Sequence, residues 1–405
     1  MNNANDLRDI MSTENKLNYV RKELNLDNNI VSVNTGSWGP LCKASRDAIS
    51  LGYEQEGIAR GDNLNKMHEF YGLKRYTNEI NEAKSTIGDL LNCSPDEVAL
   101  CESTTTGMNI FLWGYDWKPG DEIIGGSLEN PAASVPLMVL AKRRRLTLKY
   151  ANLENGYVDH EEAFKEVITT KTRMILISDV NFATGARADL KNVSKIAHEN
   201  DILVIVDGVQ ATGNYLIDVK DLGADGYAMA RHKFLFGPDG AGALYVNKEV
   251  FPKILPTYSG VFTDSEHGMS GKLVLMETAQ RYEVSTRPIP IIMGGTAAIK
   301  WLKDEVGWDF IYRKSRENFN ILWDAINDIK GVQLLTGRDQ NGLLTFAIDG
   351  IEPINIVNQL KEKNIFTRTI IVTKPQAVRI SIGVWNRESD LHTIAQSIET
   401  IAKKA

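Results

Sequence analysis

From residue 122 onward the chain repeats one rhythm: a short apolar run of strand length, then a helix-like or loop-like stretch, then another run. The runs are EIIGG (122–126), LTLKY (146–150), RMILISDV (173–180), ILVIVD (202–207) and GYAMA (226–230). Short runs that are apolar on both faces suit strands covered on both sides, and helices between them return the chain so that successive strands run the same way. The alternation therefore predicts an α/β architecture with a mainly parallel sheet. Upstream, residues 43–59 and 63–92 predict helices with polar faces, the second stopped near Asn92 with Pro95 beyond it. After about residue 300 the texture changes to a long amphipathic stretch, strands at 343–348 and 378–382, and a final helix near 388–403, the pattern of a smaller α+β domain. The expected division is an N-terminal segment (1–32) packing with the small domain, a large domain (33–295) and a small C-terminal domain (296–405).

Composition removes several classes of partner. Lys plus Arg number 46 against 52 Asp plus Glu, a net charge of −6, and the one basic run, Lys142 to Arg145, is short. Neither nucleic acid nor an anionic membrane is favoured by that balance. Cys42, Cys93 and Cys101 are odd in number and widely spaced, so neither a disulfide framework nor a metal site is indicated. No run approaches the roughly 18 apolar residues of a membrane span, and the N-terminus lacks the apolar core of a signal peptide. The expected location is the cytoplasm.

The chemistry concentrates where strands end. The run ILVIV closes on Asp207, followed by GVQATG with Gln210, and GYAMA leads directly into Arg231, His232 and Lys233. Ligand sites of parallel sheets lie beyond the carboxyl ends of the strands. Taken singly, Lys233 reads as a surface lysine and Asp207 as a helix cap. Taken together, at the ends of two strands, they suit a pyridoxal phosphate (PLP) site, where a carboxylate pairs with the pyridinium nitrogen and a desolvated lysine holds the aldehyde as a Schiff base.

An ordered set of motifs then carries a resemblance. It runs from VNTGSWGP (33–40) through STTTGMNI (103–110), ENPAASVP (129–136), SDVNFATG (178–185), VDGVQATG (206–213), RHKFLFGP (231–238) and YEVST (282–286) to VRISIGVWN (378–386). This set resembles the class V aminotransferases, which include cysteine desulfurases and isopenicillin epimerase-like proteins, all of PLP fold type I. The resemblance implies a large domain with a mainly parallel, seven-stranded mixed sheet flanked by helices, and a smaller α+β domain. It implies Lys233 as the lysine bound to PLP and Asp207 as the pyridinium partner, with Gln210 and Asn181 around the phenolic oxygen. Ser103, Thr104 and Thr105 match the phosphate turn, where a helix N-terminus favours a dianion. His232 matches a neighbour of the phosphate, and Thr286 a threonine reaching the phosphate held by the other subunit, which implies a homodimer with composite active sites. Arg379 matches the arginine that grips the substrate α-carboxylate; Arg368 is a candidate for a second acidic group, and Trp38 for the wall of the substrate pocket.

Three departures shape the expected reaction. Where cysteine desulfurases carry the sulfur-accepting cysteine, this chain reads RTIIVTKPQAV (368–378), without a cysteine. Where many of them stack a histidine on the ring, Asn130 stands. The serine before the His-Lys pair is replaced by Ala230 or Arg231, depending on the register of the alignment, and Arg231 is a candidate to supply charge instead. The expectation is chemistry at Cα of a small amino acid, with C–S β-elimination favoured because it needs no protein thiol. True transamination and epimerisation are the alternatives, and a non-catalytic ligand-sensing module is the alternative of another class.

Overall fold

The computed structural model describes residues 12–62 and 74–404. Helices α1 (Thr13–Glu23), α2 (Lys43–Asp62) and α3 (Lys74–Leu91) precede the first strand, β1 (Val98–Cys101). The middle of the predicted helix pair, 63–73, lies outside the described residues. There follow α4 (Thr104–Gly114), β2 (Glu122–Gly126), α5 (Pro131–Arg144), β3 (Thr147–Ala151), α6 (His160–Lys165), β4 (Thr172–Ser178), α7 (Leu190–His198), β5 (Leu203–Asp207), β6 (Gly226–Ala230) and β7 (Gly242–Val246). The seven strands form one sheet in the order β1-β7-β6-β5-β4-β2-β3. β2 to β6 are mutually parallel, and β7 pairs antiparallel with both β6 and β1.

Period-two alternation divides the strand side chains between two cores. Ile124, Ile175, Ile177, Val204 and Val206 join one, whereas Ile123, Met174, Leu176, Leu203 and Ile205 join the other, each covered by helices. Both faces of the sheet are thus apolar, which is why its strands read as continuous apolar runs.

A hairpin, β8 (Asp264–His267) and β9 (Leu273–Leu275), leads to α8 (Ile289–Trp301). The predicted single amphipathic stretch is broken: a short π-helical turn (Leu302–Val306) ends at Gly307, with φ of 88°, before α9 (Trp308–Asn327) begins. A positive φ at that corner is open to glycine at little cost. The second sheet has the order β10 (Val332–Leu334), β11 (Gly342–Ile348), β13 (Ala377–Ile382), β12 (Arg368–Ile370), and is backed by α9, α10 (Pro353–Lys361) and α11 (Glu388–Ala402). Here alternation places function directly. Leu344, Phe346, Val378, Ile380 and Ile382 fill the core against the helices, while Leu343 joins the core of the large sheet. Arg379 and Ser381, between the core residues of β13, therefore point away from the helices.

The N-terminal part ties into this second sheet. Val31 bridges Ile365, Ser381 N–H donates to Val33 O, and the buried Arg21 reaches Trp385 O and Asp390. Among the described residues, no helix is long and apolar enough to cross a membrane.

Candidate active site

A cleft of about 530 Å³, counting space open to solvent, lies at the carboxyl ends of β4, β5 and β6 and is lined by Ser103, Thr104, Thr105, Asn130, Asp207, Gln210, His232 and Lys233, with Ser178, Val180 and Phe182 beside them. Its position beyond parallel strand ends is the one expected of a ligand site in such a sheet.

The floor is made by strand ends. Asp207 is the last residue of β5, 3% exposed, and its Oδ1 accepts from Val209 N–H at 3.0 Å. Burial raises its pKa, opposed by the charge of Lys233. Lys233 follows β6, and burial lowers its pKa to about 8; the charge of Asp207 works against that shift, while Arg379 and Arg368 add to it. The amine is therefore readily freed of its proton near neutrality. Gly39 allows the N-terminal segment to close over this loop: its N–H donates to His232 O at 2.8 Å, and a Cβ there would lie 2.1 Å from Lys233 O.

One end of the cleft is an anion cradle. Ser103, in extended conformation, caps α4 by accepting from Thr106 N–H at 3.1 Å, leaving the first turn of the helix opening into the cleft. Thr104 Oγ1 is buried without a hydrogen-bond partner, as is Gln210 Oε1, whose amide nitrogen donates to Gly36 O at 3.0 Å. Of these two atoms only the Thr104 hydroxyl is a donor at the helix N-terminus, where an unsatisfied donor suits a phosphate; the Gln210 oxygen is a free acceptor. Burial and the charge of Lys233 lower the pKa of His232, with Asp239 opposing. Trp38, 66% exposed, donates to Asp239 and sets its ring 6.2 Å from that of His232 at the mouth of the cleft.

Two arginines stand behind the lining residue Phe182, outside the cleft lining itself, and both bear electrostatically on Lys233. Arg379 is 1% exposed; its Nη1 donates to Phe182 O at 2.6 Å and its Nη2 to Ser37 Oγ at 3.0 Å, while Nε has no partner. Arg368 is directly opposite Arg379 across the β12–β13 pairing and reaches the same Ser37 hydroxyl at 3.4 Å. Burial, then Arg368, lowers the pKa of Arg379 to about 9. Like charges placed opposite each other cost stability.

Five expected residues are not among those lining the cleft: Asn181, Trp38, Arg368, Arg379 and Thr286, the last of which is expected to act in the other subunit's site. Asn181 is buried and does not line the cleft: its Oδ1 accepts from Ala183 and Thr184 N–H, and its amide donates to Leu128 O. Thr286 is exposed, away from the cleft lining of this protomer. Asn130 does line the cleft, with Oδ1 capping α5 at Ala132 N–H, 2.9 Å. Sequence reasoning missed Ser37, Ser178 and Glu129. Glu129 is wholly enclosed behind the floor, where Ser178 N–H donates to it at 3.0 Å, and burial holds its carboxyl up at about 8. Ser37 and Glu129 both sat inside quoted motifs, but nothing in their spacing distinguished them from their neighbours.

A donor-rich helix N-terminus, a buried carboxylate and a desolvated lysine around one cleft, with two arginines behind it, fit PLP, and the α/β fold with its smaller sheet domain defines the class: a PLP-dependent enzyme of fold type I. The chain belongs to the class V aminotransferase family, whose model matches residues 57–394. A probable cysteine desulfurase of Methanothermobacter thermautotrophicus is 26% identical over 81% of this chain and 85% of its own length. The cysteine desulfurase of Wigglesworthia glossinidia brevipalpis is 26% identical over 96% of this chain and 98% of its own length. Among solved structures, the cystine C–S lyase C-DES, in complex with its reaction product cysteine persulfide, superposes with a TM-score of 0.83 at 25% identity, covering 92% of this chain and 98% of that one.

Proposed function

We propose that this enzyme cleaves the C–S bond of a small sulfur-containing amino acid by β-elimination, working as a cytoplasmic homodimer. When bound, PLP supplies an electron sink for negative charge at Cα. Lys233 holds the cofactor aldehyde, then takes the proton from Cα; its buried, readily deprotonated amine is matched to that task. Asp207 pairs with the ring nitrogen and keeps it protonated. Ser103, Thr104, Thr105 and the first turn of α4 hold the phosphate with His232, Asn130 covers the ring face, and Gln210 meets the phenolic oxygen. Asn181 shapes the 181–185 turn through its own hydrogen bonds. Arg379 grips the α-carboxylate, Arg368 contributes a second positive charge, and Trp38 closes the mouth. As the Cα proton leaves, the C–S bond breaks with its electron pair on sulfur; with cysteine and water, the final products are pyruvate, ammonia and hydrogen sulfide.

The observation that carries elimination over persulfide transfer to the enzyme is the state of the thiols. Burial raises Cys42 to about 11 and Cys93 and Cys101 to about 12, none lines the cleft, and the segment facing Arg379 from β12 has no cysteine. A sulfur acceptor needs an accessible thiolate. The likeness to a cystine C–S lyase supports the same reading. For the dimer, support comes from Thr286 on the surface and from Val135, Met138 and Val139, exposed on one face of α5, the helix that Asn130 caps. The division into 1–32, 33–295 and 296–405 belongs to the same proposal, with 12–32 packing on the small domain and 1–11 lying outside the described residues.

The test is a titration of the yellow holoenzyme with cysteine, cystine, alanine and glutamate. Pyruvate and sulfide or persulfide from a sulfur amino acid are the expected products. Conversion to the pyridoxamine form with release of a keto acid overturns the proposal in favour of transamination.

A further inference from the structure

Arg231 is the last residue before the His232–Lys233 pair, and it does not face solvent: its side chain is 1% exposed. The guanidinium makes a single long hydrogen bond, Nη2 to Gly242 O at 3.4 Å, while Nε and Nη1 have no partner. It lies flat against α8, where a Cβ on Gly295 would meet Nη1 at 2.4 Å. Among the described residues, the ionisable group near enough to act on it is the Cys101 thiol, which burial keeps protonated and therefore uncharged. Burial lowers Arg231 only to about 10, so the guanidinium stays charged near neutral pH. A buried charge without a counter-ion among the described residues is strongly unfavourable, as when a buried ion pair loses one partner. The missing negative charge has to come from something that binds.

The geometry says where. The peptide that Arg231 touches, Gly242, packs directly on the cap of α4: a Cβ there would lie 2.6 Å from Ser103 N and 2.8 Å from its Cα. Gly242 also pairs with Cys101, whose sulfur contacts Ser103 O at 3.3 Å. The guanidinium therefore stands one peptide layer behind the turn whose N–H groups and hydroxyls open into the cleft. Ala230, beside it, offers no hydroxyl.

We propose that Arg231 is a positioning residue for the cofactor phosphate, a buried positive charge behind the α4 N-terminus that draws the dianion into the cradle without touching it. This rests on the cradle being the phosphate site, as proposed above. Attraction through protein rather than water makes one such charge worth about tenfold or more in affinity for the dianion. It gives nothing to a ligand that lacks the phosphate.

The experiment compares PLP with pyridoxal, titrated into the full-length apo-protein and followed by absorbance. In Arg231→Met, affinity for PLP is expected to fall about tenfold or more with pyridoxal binding unchanged, and inorganic phosphate is expected to raise the apo-protein melting temperature less than in the wild type. Arg231→Lys is expected to keep most of the preference. Equal loss for both ligands, or loss for neither, overturns the proposal and leaves Arg231 a packing residue. Should Arg231→Met not fold, Cys101→Asp places a carboxylate beside Arg231 and neutralises it where it stands; PLP affinity is then expected to drop relative to pyridoxal, and an unchanged ratio overturns the proposal. A wild-type protein that binds neither ligand overturns the phosphate-site reading itself, an outcome distinct from a wild type that binds both.

Discussion

The floor of the cleft and its small-domain wall use buried charge in opposite ways. On the floor, Asp207 ends β5 and Lys233 follows the adjacent parallel strand β6; their opposite charges act on each other without a direct ion pair, and a backbone N–H donates to the carboxylate. On the wall, Arg379 and Arg368 face each other as like charges and share one serine hydroxyl. The floor is close to balanced before anything binds, and the wall is not. In the proposed mechanism the opposite charges of the floor serve the cofactor and the Cα proton, and the like charges of the wall serve the substrate carboxylate.

The largest break in that contrast is expected from Lys233→Ala. Without the base, turnover falls by about 10²- to 10⁴-fold, while the clamp still holds amino acid. Measured pyruvate release and amino-acid affinity should therefore separate; turnover kept near the wild-type rate would remove Lys233 from the mechanism. Next in size is Arg379→Ala. Loss of one partner from a buried charged contact costs about 3 kcal/mol, or roughly 10²-fold in kcat/KM, and the loss should fall mainly on KM. Arg379→Lys should recover little, because one ammonium cannot serve Phe182 O, Ser37 Oγ and a carboxylate together. An unchanged KM in both variants would show that the wall does not hold the carboxylate.

The smallest effect sharpens the comparison from the floor side. Burial holds the Glu129 carboxyl at about 8, whereas in the unfolded chain it titrates near ~4.3. Between those values the folded state keeps the proton that the unfolded state has lost, so this group's contribution to stability declines as pH rises through the window. Glu129→Gln should flatten the fall in denaturation midpoint between pH 5 and 8 without moving KM. A slope equal to that of the wild type would mean that Glu129 is ionised throughout.

Much of this was legible in one dimension because it repeats or sits at a strand end. The parallel strands were found as apolar runs to within a residue or two, and GYAMA matches β6 from Gly226 to Ala230. β1 and β7 went unread, since VALC and GALYV are four and five residues long and lie outside the strand–helix rhythm. The motif set brought eight of its named residues to one cleft. Asn181 bonds the backbone of its own turn through Oδ1, a local pattern that depends on the course of the 181–185 chain and that the motif did not announce.

The sequence by itself determined the layers, through hydrophobic periodicity, and named the lysine, the aspartate and the arginine as candidates, because those chemistries admit few other residue types. Only the tertiary structure decided which charges are answered. Arg231 and Arg379 are the same letter, both about 1% exposed; one lies behind a helix cap with two N–H groups unmet, and the other is held between Ser37 and Phe182 from distant parts of the chain. Charge, burial and counter-charge act through space and fall steeply with distance in a low-dielectric interior, so the balance at each site is set by neighbours that the order of residues does not name.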